Sequence, residues 1–189
     1  MHSPHEERER TEEYLGPVHV DIAGPMQVKS AGGKEYEYIA VDYYSRVVYM
    51  RRLRLTSEAS EAFQIFKAAA ENESQKKIRE VMTDNARELC MGEMKDICIR
   101  EGIKLHTSVR YSPESNGVAE RTIGVLTNAV RAMLHDSGLP KFLWAEAFSA
   151  RTQQDANEGV MRSYATRGTL WGEARRFASA RIRRAVSHR

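Results

Sequence analysis

Three acids in this chain stand where a carboxylate could do chemistry rather than only face water. Asp21 lies within an apolar run, V-H-V-D-I-A-G-P at 18–25, where a carboxylate is costly unless it meets a cation or hydrogen-bond donors. Asp84 directly follows a β-rich segment, in V-M-T-D-N-A-R-E at 81–88, and side chains that act on substrates gather at such strand ends. Glu120, in S-P-E-S-N-G-V-A-E-R at 112–121, falls in the first turn of a long helical pattern, where the helix dipole favours negative charge. Three carboxylates make an all-oxygen ligand set that suits magnesium. Phosphoryl transfer on DNA uses two such ions, one to activate the attacking oxygen and one to stabilise the leaving one. No histidine occupies an equally convincing context for a general base, and this chemistry does not require one. Each acid also has an ordinary reading. Asp21 could satisfy the turn before Gly24-Pro25, Asp84 could cap the helix after it, and Glu120 could pair with a Lys or Arg on a helix surface.

The elements that must hold these acids can be read from periodicity. Residues 17–22 form a short β-rich run that stops at Gly24-Pro25, and Ser30–Lys34 is a turn signal. Residues 36–42, Y-E-Y-I-A-V-D, alternate apolar and polar as a strand does, and 46–55 is a third β-rich run, so the first three strands predict an antiparallel meander. Thr56 or Ser57 can cap the next helix, where Phe63, Phe66 and Ala70 recur at helical spacing. A fourth strand is expected over 77–82 and a helix over 85–101, with Leu89, Met94, Ile97 and Cys98 on one stripe and Gly102 as its cap. A fifth strand follows at 103–107, then a Ser/Pro/Asn-rich loop at 108–116, a long helix at 117–136 and a last helix at 141–157. This order predicts an α/β domain with a mixed five-stranded sheet flanked by helices, over residues 16–158, between a disordered lead at 1–15 and a basic, poorly ordered tail at 159–189.

Composition narrows the class. With 41% hydrophobic and 29% charged residues, the chain reads as soluble and globular. No apolar stretch approaches a membrane span, and the charged N-terminus lacks a secretory signal's apolar region. Two cysteines, Cys90 and Cys98, fit a reduced, intracellular protein and cannot build a disulfide framework. The net charge of +3 hides an asymmetry. Residues 160–189 hold eight arginines and one acid, a net +7, while the rest holds 21 bases and 25 acids, a net −4. Such a tail suits phosphates or nuclear import, and equally a solvated end.

The words around the acids resemble the copia-type retrotransposon integrase core, within the retroviral integrase superfamily. They are V-H-V-D-I-A-G-P-M (18–26), G-G-K-E-Y-E-Y-I-A-V-D-Y-Y-S-R (32–46), T-D-N (83–85), G-I-K-L-H-T-S (102–108), Y-S-P-E-S-N-G-V-A-E-R (111–121), A-M-L (132–134) and G-L-P-K-F-L-W-A-E-A (138–147), ending at Asn157. Thirty-five residues separate Asp84 from Glu120, the spacing of that family's D,D-35-E signature. The resemblance implies a ribonuclease H-like fold, with Asp21, Asp84 and Glu120 holding two Mg²⁺ or Mn²⁺ ions. It implies nicking near the element's DNA ends and attack of the freed 3′-hydroxyl on target DNA. Residues 111–117 would form a mobile loop with Asn116 facing the substrate, and Arg121, Thr127, Asn128 and Arg131 would touch DNA, unless they only line an exposed helix face. Asn85 and His106 would lie near the site; His106 reads equally as a histidine at the edge of the core. The implied partners are element and target DNA, with RNA as a further nucleic-acid class, and a second copy of the chain; the implied compartment is the nucleus.

The chain also departs from that pattern. Ala86-Arg87-Glu88 stand where the family carries two glycines and an acid, which sets bulk and positive charge beside the second ligand. No cysteines accompany His2 and His5, so no zinc module is expected. Two function classes therefore stand side by side: a polynucleotidyl transferase, and an inactive transposon-derived fragment that only binds nucleic acid.

Overall fold

A computed structural model describes residues 13–83, 87–107, 113–157 and 163–165. Its strands are β1 (Pro17–Ala23), β2 (Tyr36–Asp42), β3 (Val48–Leu53), β4 (Glu80–Thr83), β5 (Lys104–Thr107) and β6 (Ser163–Ala165). Its helices are α1 (Ala59–Ser74), α2 (Arg87–Cys90), α3 (Glu93–Glu101), α4 (Pro113–Ser137) and α5 (Trp144–Asn157).

All six strands share one sheet in the order β5-β4-β1-β2-β3-β6. The expected meander is present: β1 pairs antiparallel with β2, and β2 with β3. β4 then joins the free side of β1 in parallel and β5 joins β4 in parallel. The five expected strands are all found, and the α/β, ribonuclease H-like arrangement of a mixed sheet flanked by helices holds. The sixth strand was not expected; it pairs in parallel with β3 from within the range read as tail.

Strand alternation sorts the sheet into two faces. On one, Val18, Val20, Tyr38, Ala40, Tyr49 and Val81 join a core with Ala59, Phe63 and Phe66 of α1 and Met94, Ile97 and Cys98 of α3. On the other, Ile39, Val41, Val48 and Met50 meet Leu126, Val130 and Met133 of α4 and Trp144, Ala145 and Phe148 of α5. Trp144 Nε1 donates to the Val28 carbonyl at 2.9 Å, tying the start of α5 to the β1–β2 connection.

Several boundaries differ from the sequence reading for identifiable reasons. The helix expected over 85–101 is two helices, because Gly92 adopts φ +60 and interrupts it; Gly102 caps the second in the left-handed conformation, as expected. Neither Thr56 nor Ser57 caps α1. Both lie in a 3₁₀ turn (Thr56–Glu58) that leads into it, and its N-cap is Glu58 without a side-chain bond. β3 starts at Val48 rather than 46, since Arg46 takes φ +62 in the connection. That connection is held by Asp42, whose Oδ1 accepts from Leu15 N at 2.9 Å and whose Oδ2 accepts from Ser45 N at 2.7 Å and Ser45 Oγ at 2.6 Å. The D-Y-Y-S-R word is thus accounted for structurally. β4 begins at Glu80, so the segment before it is not strand, and α4 begins at Pro113, before the position read from the sequence. Proline is well suited to the first helical position, where its missing N–H costs nothing.

Candidate active site

Asp21 lies on β1, an interior strand flanked by β4 and β2. Val18 and Val20 point into the apolar core, so His19, Asp21 and Ala23 point to the opposite face. Asp21 is half-buried, and its Oδ1 accepts from the Ile22 N–H at 2.7 Å. Asp21 thus keeps partial exposure at a place fixed by hydrogen-bonded strands on both sides.

β1, β4 and β5 run parallel, so their carboxyl ends share one edge of the sheet. Ligands in open α/β sheets bind outside such ends. Val20 is in register with Thr83, the last residue of β4, and Thr83 with Thr107, the last residue of β5. One residue further along β1 is Asp21. Asp84 and Asn85 lie outside the described residues.

Gly24 ends β1 with φ +134. A Cβ on it would stand 2.8 Å from the Glu35 carbonyl oxygen and 2.8 Å from a ring carbon of Tyr36. A side chain would have to push β2 away, so the A-G-P word keeps the end of β1 tight against its neighbour.

Glu120 lies in α4, about two turns from the helix start rather than in its first turn. The described backbone also extends through Asn116, so the loop expected over 111–117 is helical from Pro113 onward. α4 packs on β1 and β2. Ile123, just beyond Glu120, and Ala23, just beyond Asp21, both pack against the second core. The side chains of Asn116 and Glu120 lie outside the described residues. Farther along α4, Arg121, Asn128 and Arg131 are exposed and Thr127 is half-buried.

His106, on β5, is in register with Met82, which in turn pairs with His19. It is thus separated from β1 by a whole strand, and its Nε2 lies 3.2 Å from Glu80 Oε2. Arg87, the departure beside the second acid, opens α2 and is exposed, while Glu88 beside it accepts from Thr56 Oγ1 at 2.9 Å. Among the described residues no three His, Cys, Asp or Glu side chains cluster closely enough to hold a metal ion. No helix among them is long and apolar enough to cross a membrane.

Comparison with known proteins agrees with this architecture. The family model "Integrase core domain" matches residues 15–113. A retrovirus-related Pol polyprotein from transposon TNT 1-94 of Nicotiana tabacum is 34% identical over 139 residues, covering 74% of this chain and 10% of the polyprotein. One from transposon RE2 of Arabidopsis thaliana is 30% identical over 122 residues, covering 65% and 8%. The chain thus spans about a tenth of the length of these relatives. Among solved structures, a chain of the simian T-cell lymphotropic virus intasome, in complex with PP2A regulatory subunit B56 gamma, superposes with TM-score 0.58 at 23% identity, over 75% of this chain and 48% of that one. The HTLV-2 integrase catalytic core domain in complex with magnesium, in its dimeric form, gives 0.52 at 22% identity, over 74% and 88%. These structural likenesses establish the fold; the family match, extending from β1 to the start of α4, makes this chain a member of the integrase core domain family, on the side of the retrotransposon Pol polyproteins.

Proposed function

We propose that the chain is a catalytic core for DNA integration, with Asp21, Asp84 and Glu120 as ligands of two Mg²⁺ or Mn²⁺ ions. The observation that carries this reading is the position of Asp21: a half-buried carboxylate on an interior strand, one residue past the position where β4 pairs with β1. Asp84 is the residue after that paired position on β4 in sequence, and Glu120 belongs to the helix that packs on β1. Mg²⁺ prefers oxygen donors, a few carboxylates completed by water and substrate phosphate. Bound there, the ions would activate the attacking oxygen and stabilise the leaving one during end nicking and strand transfer.

The protein's own part is positioning. The sheet holds Asp21 rigidly, and the exposed Arg121, Asn128 and Arg131 give α4 a polar flank that can follow a phosphate backbone. The exposed placement of Arg87 leaves its bulk and charge in solvent, which favours the enzyme over a fragment that only binds nucleic acid. The magnesium named with the HTLV-2 domain, and its dimeric form, favour the same cofactor and a homo-oligomer here. Work on chromosomal DNA would place the protein in the nucleus.

The test is a strand-transfer and nicking assay with Mn²⁺ on the wild type and Asp84→Asn. We expect the variant to fall to background; equal activity in both would sink the assignment. Magnesium should raise the melting temperature of the wild type but not of Glu120→Gln.

A further inference from the structure

Glu37 is an acid in a place built for an apolar side chain. It is 1% exposed, on the face of the sheet that α4 and α5 cover. Arg52 of β3 stands directly opposite it in the β2–β3 register, and Ala23 of β1 opposite on the other side. α5 closes over this spot. Arg52 Nη2 donates to the Ala145 carbonyl at 2.9 Å and to Ser149 Oγ. Glu146, beside Ala145 on α5, brings a second carboxylate close enough to act on the charge of Glu37. Glu37 Oε2, Arg52 Nε and Glu146 Oε2 are all buried without a hydrogen-bond partner.

Two acids and one base cannot balance while both acids are ionised. The surplus negative charge would be held out of water, where it is costly. One proton removes the surplus and supplies the donor that the unpartnered oxygens lack. Glu37 is the more deeply buried acid, and burial pushes its carboxyl up to about 8, with Arg52 opposing and Glu146 adding to the rise. Among the described side chains, the other titratable groups that the strand register brings to this face are Asp21 and His19 of β1, with Arg151 farther along α5. The α4 residues in this core are apolar.

We propose that Glu37 keeps its proton in the folded protein at neutral pH, and that this proton seats α5 against β2 and β3, so that ionising Glu37 weakens the dock. An unfolded glutamate ionises near 4.5, so folding retains one proton between about 4.5 and about 8. The stability that the protonated dock contributes is whole below 4.5 and is lost as pH rises through 8.

The experiment compares folding of the wild type and Glu37→Gln, a neutral isostere, from pH 4.5 to 9.5, with ¹³C-carboxyl NMR of glutamate-labelled protein. The wild-type folding constant relative to the variant should fall by up to about tenfold per pH unit across the window and then level off. The carboxyl resonance missing from Glu37→Gln should titrate near 8. A constant ratio across the window, or titration in the ordinary carboxylate range, would overturn the proposal. Should Glu37→Gln fail to fold, Glu146→Gln decides the matter. Removing the second acid should shift the Glu37 midpoint downward, and an unmoved midpoint would overturn the proposal.

Discussion

The two faces of one sheet are built on different principles. The face under α1 and α3 is mainly apolar: β1 gives it Val18 and Val20, β2 gives Tyr38 and Ala40, and the helices answer with Phe63, Phe66, Met94 and Ile97, while its buried acids Asp42 and Glu71 are fully engaged by hydrogen bonds. The face under α4 and α5 has an apolar centre, Ile39, Val41, Leu126 and Val130, but the same strands also place His19, Asp21, Glu37 and Arg52 on it. The first face rests chiefly on shape and volume. The second carries, among the described residues, the acid proposed for chemistry and the Glu37–Arg52–Glu146 cluster, and these polar groups need specific partners. The proposed site thus lies on one face of a single layer of backbone whose two faces both carry apolar core.

That contrast between the faces can be broken in measurable ways. The largest effect expected is on activity. Asp21→Asn should lower strand transfer by about a hundredfold or more, as the loss of a metal ligand does, while denaturant unfolding stays near the wild-type value. A stability loss as large as a core mutation causes would contradict the contrast. Phe63→Ala, on the apolar face, should cost about 3–5 kcal/mol in unfolding free energy, through lost burial and the cavity left behind. Leu126→Ala, on the opposite face, should cost about 2–4 kcal/mol by the same measurement, and should also reduce activity because α4 loses its anchor beyond Glu120.

Glu71 offers a contrast with Glu37. It is a buried carboxylate on the apolar side, but fully engaged: Lys77 Nζ at 2.8 Å, the Ile78 N–H at 3.0 Å and Lys67 Nζ at 3.0 Å all donate to it. Burial alone would raise its pKa; the hydrogen bonds from Lys77, Ile78 and Lys67 outweigh that and hold it below the ordinary value. Glu71→Gln should cost about 2 kcal/mol at neutral pH. The difference from wild type should shrink as pH falls through the lowered pKa, because the ionised form is what the fold stabilises. A comparable or smaller effect should come from Trp144→Phe, which deletes the bond to the Val28 carbonyl together with part of a buried ring and should cost about 1–2 kcal/mol in thermal unfolding.

Much of this was legible in the sequence where local chemistry dictated the outcome. β2 matches its expected limits because its pattern is strong, and Asp21 stood out because an acid inside an apolar run demands a reason. Glu37 escaped notice for the opposite cause. In Y-E-Y-I-A-V-D the alternation suggests one solvated face, yet both faces of β2 are covered, a fact of tertiary packing that no strand reveals by itself. Gly92 and Pro113 were available signals: a glycine within a helical pattern can break it, and a proline can begin one. β6 had no such signal, since three residues that pair with β3 across the fold carry no periodicity of their own.

The pairing of Val20 with Thr83 has a consequence for the order of folding. The β1–β2 and β2–β3 pairs are hairpins that close short loops. The β1–β4 pair instead joins positions about sixty residues apart and must wait for β2, β3 and α1 to be laid down between them. Long-range pairing of this kind is entropically expensive and slow. In a refolding experiment the meander should gain protection from hydrogen exchange before β4 does, and the proposed strand-transfer activity should return only with the later phase. The carboxyl-end edge that holds Asp21 is then among the last features the chain acquires.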